Sequence, residues 1–129
     1  MESFFKAGVT VASSSDYPVT DPPNPLIAIQ IGITRLQPGT IDSKEILWKE
    51  ERTTLDQMIA SFTINGAYAN FLEKETGSIE KGKFADLIVL NKNLFKIHKD
   101  EISKAKVLLT LFEGVEVFRD STFTTTNNN

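Results

Sequence analysis

Few side chains in this sequence have the type and setting for chemistry, and Asp16 is the first of them. It stands in Ser14-Ser15-Asp16-Tyr17-Pro18-Val19, where a run of small and β-branched residues gives way to a proline-rich loop. A short carboxylate at such a break can keep its place at hydrogen-bond distance from a substrate and pass a proton. Taken alone, Asp-x-Pro reads more simply as the start of a turn before Pro18. Arg35 is the second candidate. Its guanidinium could bind an acidic substrate group, or it could close a local salt bridge or stay solvated. Histidine is scarce: there is one, His98, in the polar setting Lys96-Ile97-His98-Lys99-Asp100, and it reads as a surface residue. A zinc site usually draws several His, Cys or carboxylate ligands into a fixed geometry. This chain cannot build a His-rich one. With no cysteine it has neither disulfides nor thiolate chemistry.

The elements that must position Asp16 follow from the local patterns. Gly8 to Ser15 reads as a short strand that breaks at Asp16-Tyr17-Pro18. Four prolines between Pro18 and Pro25 then exclude regular helix or ladder bonding. Leu26 to Thr34 alternates like a strand, yet Leu26, Ile29, Ile33 and Leu36 also share one helical face, and helix is the preferred reading. A loop marked by Pro38-Gly39 runs from Gln37 to about Lys44. Thr54 and Gln57 are spaced as a capping box, and Leu55, Met58, Ile59 and Phe62 form an apolar stripe behind it. Gly66 weakens that helix, and Thr63 or Asn65 could cap a second one from Ala67 to about Glu73.

Beyond Gly77 the period becomes strand-like. Ala85 to Leu90 is a nearly continuous apolar strand that calls for cover on both faces. Val107 to Phe112 and Val115 to Phe118, joined by Glu113-Gly114, read as a β-hairpin. The tail Ser121 to Asn129 is polar, low in complexity and expected to be disordered. The expected divisions are thus 1–76, 77–120 and 121–129.

Bulk properties exclude several classes. A length of 129 residues suits one domain, and 40% hydrophobic with 24% charged residues is ordinary for a soluble globular protein. A net charge of −3 without a Lys/Arg stripe argues against a nucleic-acid partner. No apolar run approaches the roughly 20 residues that span a bilayer, and the first residues lack the pattern of a signal peptide. A cytoplasmic address is the default.

Three phrases, in this order, carry a resemblance. The first is a strand running into Ser14-Ser15-Asp16-Tyr17-Pro18-Val19. The second runs from Thr54-Leu55-Asp56-Gln57-Met58-Ile59 through Ser61-Phe62-Thr63-Ile64-Asn65-Gly66-Ala67-Tyr68-Ala69. The third, and the most specific, is Gly77-Ser78-Ile79-Glu80-Lys81-Gly82-Lys83-Phe84-Ala85-Asp86-Leu87-Ile88-Val89-Leu90. Together they resemble the C-terminal part of the amidohydrolase superfamily, in its family 3 branch, over residues 7 to 120. That branch includes N-acyl and formamide hydrolases and exoenzyme-regulator-like proteins.

The resemblance implies a mixed α+β fragment of a TIM-like barrel with a smaller composite β-sandwich. Residues 9–13 would be the last barrel strand, with Asp16 at its mouth. Leu26 through Leu72 would supply closing helices, and Ala85 to Phe118 strands of the sandwich. A whole barrel needs about 250 residues, so this chain is expected to be a fragment or excised domain. By the same resemblance, Asp16 is the catalytic carboxylate and touches the metal, zinc or another divalent ion. It takes a proton from the attacking water and gives it to the leaving nitrogen. Tyr17 and Asn24 flank the same mouth, Arg35 is a substrate-binding candidate, and Asp86 has a structural duty at a turn or strand start.

The implied parent hydrolyses C–N bonds in small-molecule amide, N-acyl or formamide substrates. The isolated chain is expected to be inactive and to bind no metal stoichiometrically. The competing reading is a stand-alone binding or regulatory module that kept the fold and lost the chemistry. An apolar face built to pack on a barrel would be exposed in the isolated chain, which is expected to form a homodimer through it or to repack its N-terminal segment.

Overall fold

A computed structural model describes residues 1–40 and 43–124. Helix α1 spans Glu2–Lys6, α2 Pro25–Thr34, α3 Leu55–Phe62 and α4 Ile64–Ala69, followed by strands β1 Leu87–Leu90, β2 Val107–Phe112 and β3 Val115–Arg119. Short 3-10 turns occupy Ser43–Glu45, Lys49–Glu51 and Lys99–Lys104. The part of the Gln37-to-Lys44 loop at residues 41–42, and the part of the expected disordered tail at 125–129, lie outside the described residues.

Helix α2 settles the ambiguity of Leu26 to Thr34. Pro25 sits at its first turn, where a missing N–H costs nothing. Asn24 caps it, its Oδ1 accepting from the Leu26 N–H at 3.0 Å. Arg35, with φ of 60°, ends it in the left-handed conformation. Leu26 and Ile29 are buried as the helical face requires, whereas Leu36 lies past the last turn. Helix α3 begins on the expected capping box: Gln57 N–H donates to Thr54 Oγ1 at 3.2 Å, and Thr54 N–H to Gln57 Oε1 at 2.8 Å.

Three expectations need correction. Gly8 to Ser15 forms no strand. It runs extended without a ladder partner among the described residues, bonded instead to the α3–α4 region. A strand exists only by pairing, and composition cannot supply the neighbour. The second short helix is Ile64–Ala69, three residues earlier than expected; Asn65 and Gly66 lie inside it, and Thr63 holds its N-cap position without a side-chain capping bond. The Thr63 hydroxyl turns back to the Ile59 carbonyl at 2.8 Å, while Asn65 reaches Val11. The third concerns β1, which lacks cover on both faces: Ile88 is 55% exposed.

The core joins α2, α3 and the turn at Lys99–Lys104. Leu26, Ile29, Met58, Ile102 and Ala105 form it, and full burial of each larger side chain is worth about 1.5–3 kcal/mol. Buried Gln30 crosses the same contact, its Oε1 accepting from the Ser103 N–H at 2.8 Å. His98, exposed as expected, starts this turn, with Nδ1 accepting from the Asp100 N–H at 3.5 Å.

The sheet has the order β1-β2-β3, antiparallel throughout, with Ile88 opposite Thr110 and Thr110 opposite Phe118. Glu113 and Gly114, at φ of 51° and 81°, make the two-residue hairpin turn. Asp86 braces it: Oδ2 accepts from the Thr76 hydroxyl at 2.6 Å and Oδ1 from the Glu113 N–H at 2.8 Å. Those donors, Thr76 foremost, hold the Asp86 carboxyl below the usual carboxylate range. Between α3–α4 and β1 lies an open, largely apolar groove of about 800 Å³.

Candidate active site

The position of Asp16 is built from Ser61 outward. Ser61 is fully buried on α3, and its hydroxyl donates to the Met58 carbonyl at 2.8 Å. It accepts from the Ser13 hydroxyl at 2.9 Å, and the Ser61 carbonyl accepts from the Ser13 N–H at 2.9 Å. Two residues earlier, Asn65 Nδ2 donates to the Val11 carbonyl at 3.0 Å. These bonds fix residues 11–13 along the α3–α4 corner. The chain then turns sharply. Ser14 Oγ accepts from the Asp16 N–H and Ser15 Oγ from the Tyr17 N–H, each at 3.3 Å, while the Val19 N–H donates to the Asp16 carbonyl at 2.8 Å.

Asp16 itself has φ of 53°, a left-handed conformation that Asp tolerates better than most side chains. The turn reading holds at this residue. Its backbone forms the turn, and the residue is left exposed beyond it. Tyr17, beside it, is also exposed, and Asn24 is occupied in capping α2. A cleft of about 410 Å³ opens next to the turn, between residues 13–15, the proline loop and the side of α2.

Arg35 does not line that cleft. At the end of α2 its Nε donates to the Leu47 carbonyl at 3.0 Å, and its own carbonyl accepts from the Leu47 N–H at 3.2 Å. That pairing braces the segment after residue 43. Ser61 and Asn65, which hold the Asp16 segment, were legible only as helix residues. No local signal marks a buried serine as the anchor of a segment 48 residues away.

Comparison with known proteins supplies the class. The fold is a small mixed α/β unit with a three-stranded antiparallel sheet. It superposes on an amidohydrolase from Thermotoga maritima MSB8 with a TM-score of 0.67 and 26% identity, covering 92% of this chain and 25% of that one. The model of the amidohydrolase family matches residues 1–118, and the chain belongs to that family.

Curated relatives agree on how much is shared. The chain is 30% identical to the N-substituted formamide deformylase of Arthrobacter pascens, over 89% of this chain and 20% of the relative. It is 30% identical to Protein LONG AFTER FAR-RED 3 of Arabidopsis thaliana, over 91% of this chain and 19% of that protein. The imidazolonepropionase of Bdellovibrio bacteriovorus is 33% identical over 67% of this chain and 18% of its own length. The chain thus spans about a fifth of the length of these relatives.

Amidohydrolases generally use divalent metals. Among the described residues, no three His, Cys, Asp or Glu side chains gather in a way that could hold one. Asp16 offers a single carboxylate, and His98 caps a turn elsewhere in the sequence. The side chains described here do not fit a metal by themselves. Among the same residues, no helix is long and apolar enough to cross a membrane.

Proposed function

We propose that this chain is the C-terminal portion of a hydrolase that cleaves C–N bonds in amide, N-acyl or formamide substrates, with Asp16 as its catalytic carboxylate. The match over residues 1–118 carries the reading, and the exposed position of Asp16 on a braced turn supports it. The carboxylate takes a proton as water adds to the carbonyl carbon and returns it to the nitrogen as the C–N bond breaks. A leaving amide nitrogen needs that proton. On this reading residues 1–76 close a barrel, residues 77–120 contribute to a sandwich domain, and the rest of the reaction centre comes from outside this chain. Dependence on zinc or another divalent metal comes with the family reading, with Asp16 as one ligand and the others outside this chain. The isolated chain is inactive.

The pairing of Arg35 with Leu47 favours a bracing role over binding of an acidic substrate group. Ile88, Val117, Phe118 and the 800 Å³ groove leave apolar surface uncovered, and we propose that the isolated chain dimerises through it. Sedimentation as a clean monomer with no dye-binding apolar surface would contradict that.

The test of function is Asp16→Asn in the full-length reading frame. Turnover of neutral N-acyl or formamide substrates falls by roughly 10²–10⁴-fold, the usual worth of a positioned proton-transfer group, with melting temperature unchanged. Unchanged turnover removes Asp16 from the chemistry.

A further inference from the structure

The cleft beside Asp16 combines an apolar wall with uncharged polar side chains. Its 410 Å³ falls within the range of small-molecule pockets, roughly 300–1,000 Å³. Ile27, Ala28 and Ile31 of α2 and Phe62 of α3 supply its apolar lining, and Ser14, Ser15 and Gln37 are among its uncharged polar lining. Among the described residues, no charged side chain lines it. A charged ligand group entering this cleft would lose hydration with no counter-ion to replace it. An apolar group loses nothing of that kind and gains contact with the aliphatic wall.

The two serines add a polar element. Ser14 and Ser15 use their oxygens as acceptors for the Asp16 and Tyr17 N–H groups. A hydroxyl that accepts still has its own O–H to donate. A carbonyl oxygen can accept from such donors; a carboxylate could too, so selection against charge rests on the absence of a cation among the described residues of the cleft and not on the serines. These same serines lead directly into Asp16, so a group seated in the cleft lies beside the turn that carries the carboxylate.

We propose that this cleft is a specificity pocket for the uncharged, apolar substituent of an amide substrate, and that it discriminates against substrates carrying a carboxylate there. Calling the ligand a substrate rests on the hydrolase reading above; the preference for a neutral apolar carbonyl compound stands on the cleft alone.

The experiment uses the whole chain of 129 residues, isotopically labelled and titrated by NMR with acetanilide and, separately, with N-acetylglutamate. Acetanilide is expected to shift the amides of Ser14, Ser15 and Ile31 with a dissociation constant of roughly millimolar order. N-acetylglutamate leaves them unmoved at the same concentration. Ala28→Phe, which fills the cleft, weakens acetanilide about tenfold or more. Should that variant lose its fold by circular dichroism, the serine pair Ser14→Ala and Ser15→Ala decides instead, with a loss of about threefold.

No shift at these residues, equal binding of N-acetylglutamate, or filling and serine variants that leave the affinity unchanged would each overturn the pocket. Because the readout is binding without turnover, the two proposals fail separately. Acetanilide bound in the cleft, with full-length turnover indifferent to Asp16→Asn, keeps the pocket and removes the hydrolase role of Asp16.

Discussion

The helical and sheet regions of this chain are held by different means. In the helical region Leu26, Ile29, Met58 and Ile102 close on one another, and Gln30, Thr34 and Ser61 are buried with hydrogen-bond partners. In the sheet, every residue of β3 is exposed and no residue of β1 or β2 is fully buried. Its order comes from ladder pairing, the Glu113-Gly114 turn and the Asp86 brace. The comparison teaches that Asp16 is tied to the part with a core. Its segment is pinned to Ser61 and Asn65, one turn from Met58. The sheet is the part whose apolar side chains stand exposed.

The contrast can be broken most directly at Met58. Met58→Ala removes the side chain packed between α2 and the rest of the core and should cost about 2–5 kcal/mol, read by urea unfolding. Val117→Thr on β3, where the side chain is already exposed, should stay within about 0.5 kcal/mol. Equal losses at the two sites would mean that the sheet shares the core's stability.

Next in size is the junction of the two regions. Gly77 has φ of +89°, and a Cβ there would stand 2.7 Å from Ala67 Cβ and 3.0 Å from Ile64 Cα. Gly77→Ala therefore combines a left-handed backbone with overpacking against α4, and roughly 1–3 kcal/mol is expected in the same assay. An unchanged midpoint would show that this contact yields easily.

The smallest effect concerns the Asp86 brace. Its carboxyl sits below the usual range because Thr76 and Glu113 donate to the charged form. A depressed folded-state value stabilises the fold above the ordinary carboxylate pKa and loses that support as pH falls through the lowered value. Thr76→Ala should return the Asp86 titration towards its ordinary value by carbon-detected NMR. A titration that does not move would assign the depression to Glu113 alone.

What was legible from residues alone follows sequence separation and not the division between helices and sheet. Local rules carried the capping box at Thr54 and Gln57 and the Glu113-Gly114 hairpin, because each is decided within a few residues; Leu26 to Thr34 fitted strand and helix alike, and the structure shows the preferred helix, capped by Asn24. Asp86 was placed correctly at a strand start, though its partners were not foreseen. The extended segment before Asp16 was misread as a strand, since pairing is a property of a neighbour and not of Gly8 to Ser15. The turn at Lys99–Lys104, which supplies buried Ile102, carries no periodic signal in six residues. Asp16 emerged from the order of three phrases. Its anchors did not, because Ser61 and Asn65 act across about fifty residues of sequence.

The central claim is that this chain brings one carboxylate to a reaction centre it does not complete. Titration of the purified chain of 129 residues with zinc, by calorimetry alongside Asp16→Asn, tests this most directly. The account predicts no stoichiometric uptake and no difference between the two proteins. Tight one-to-one zinc binding that vanishes in Asp16→Asn would contradict it.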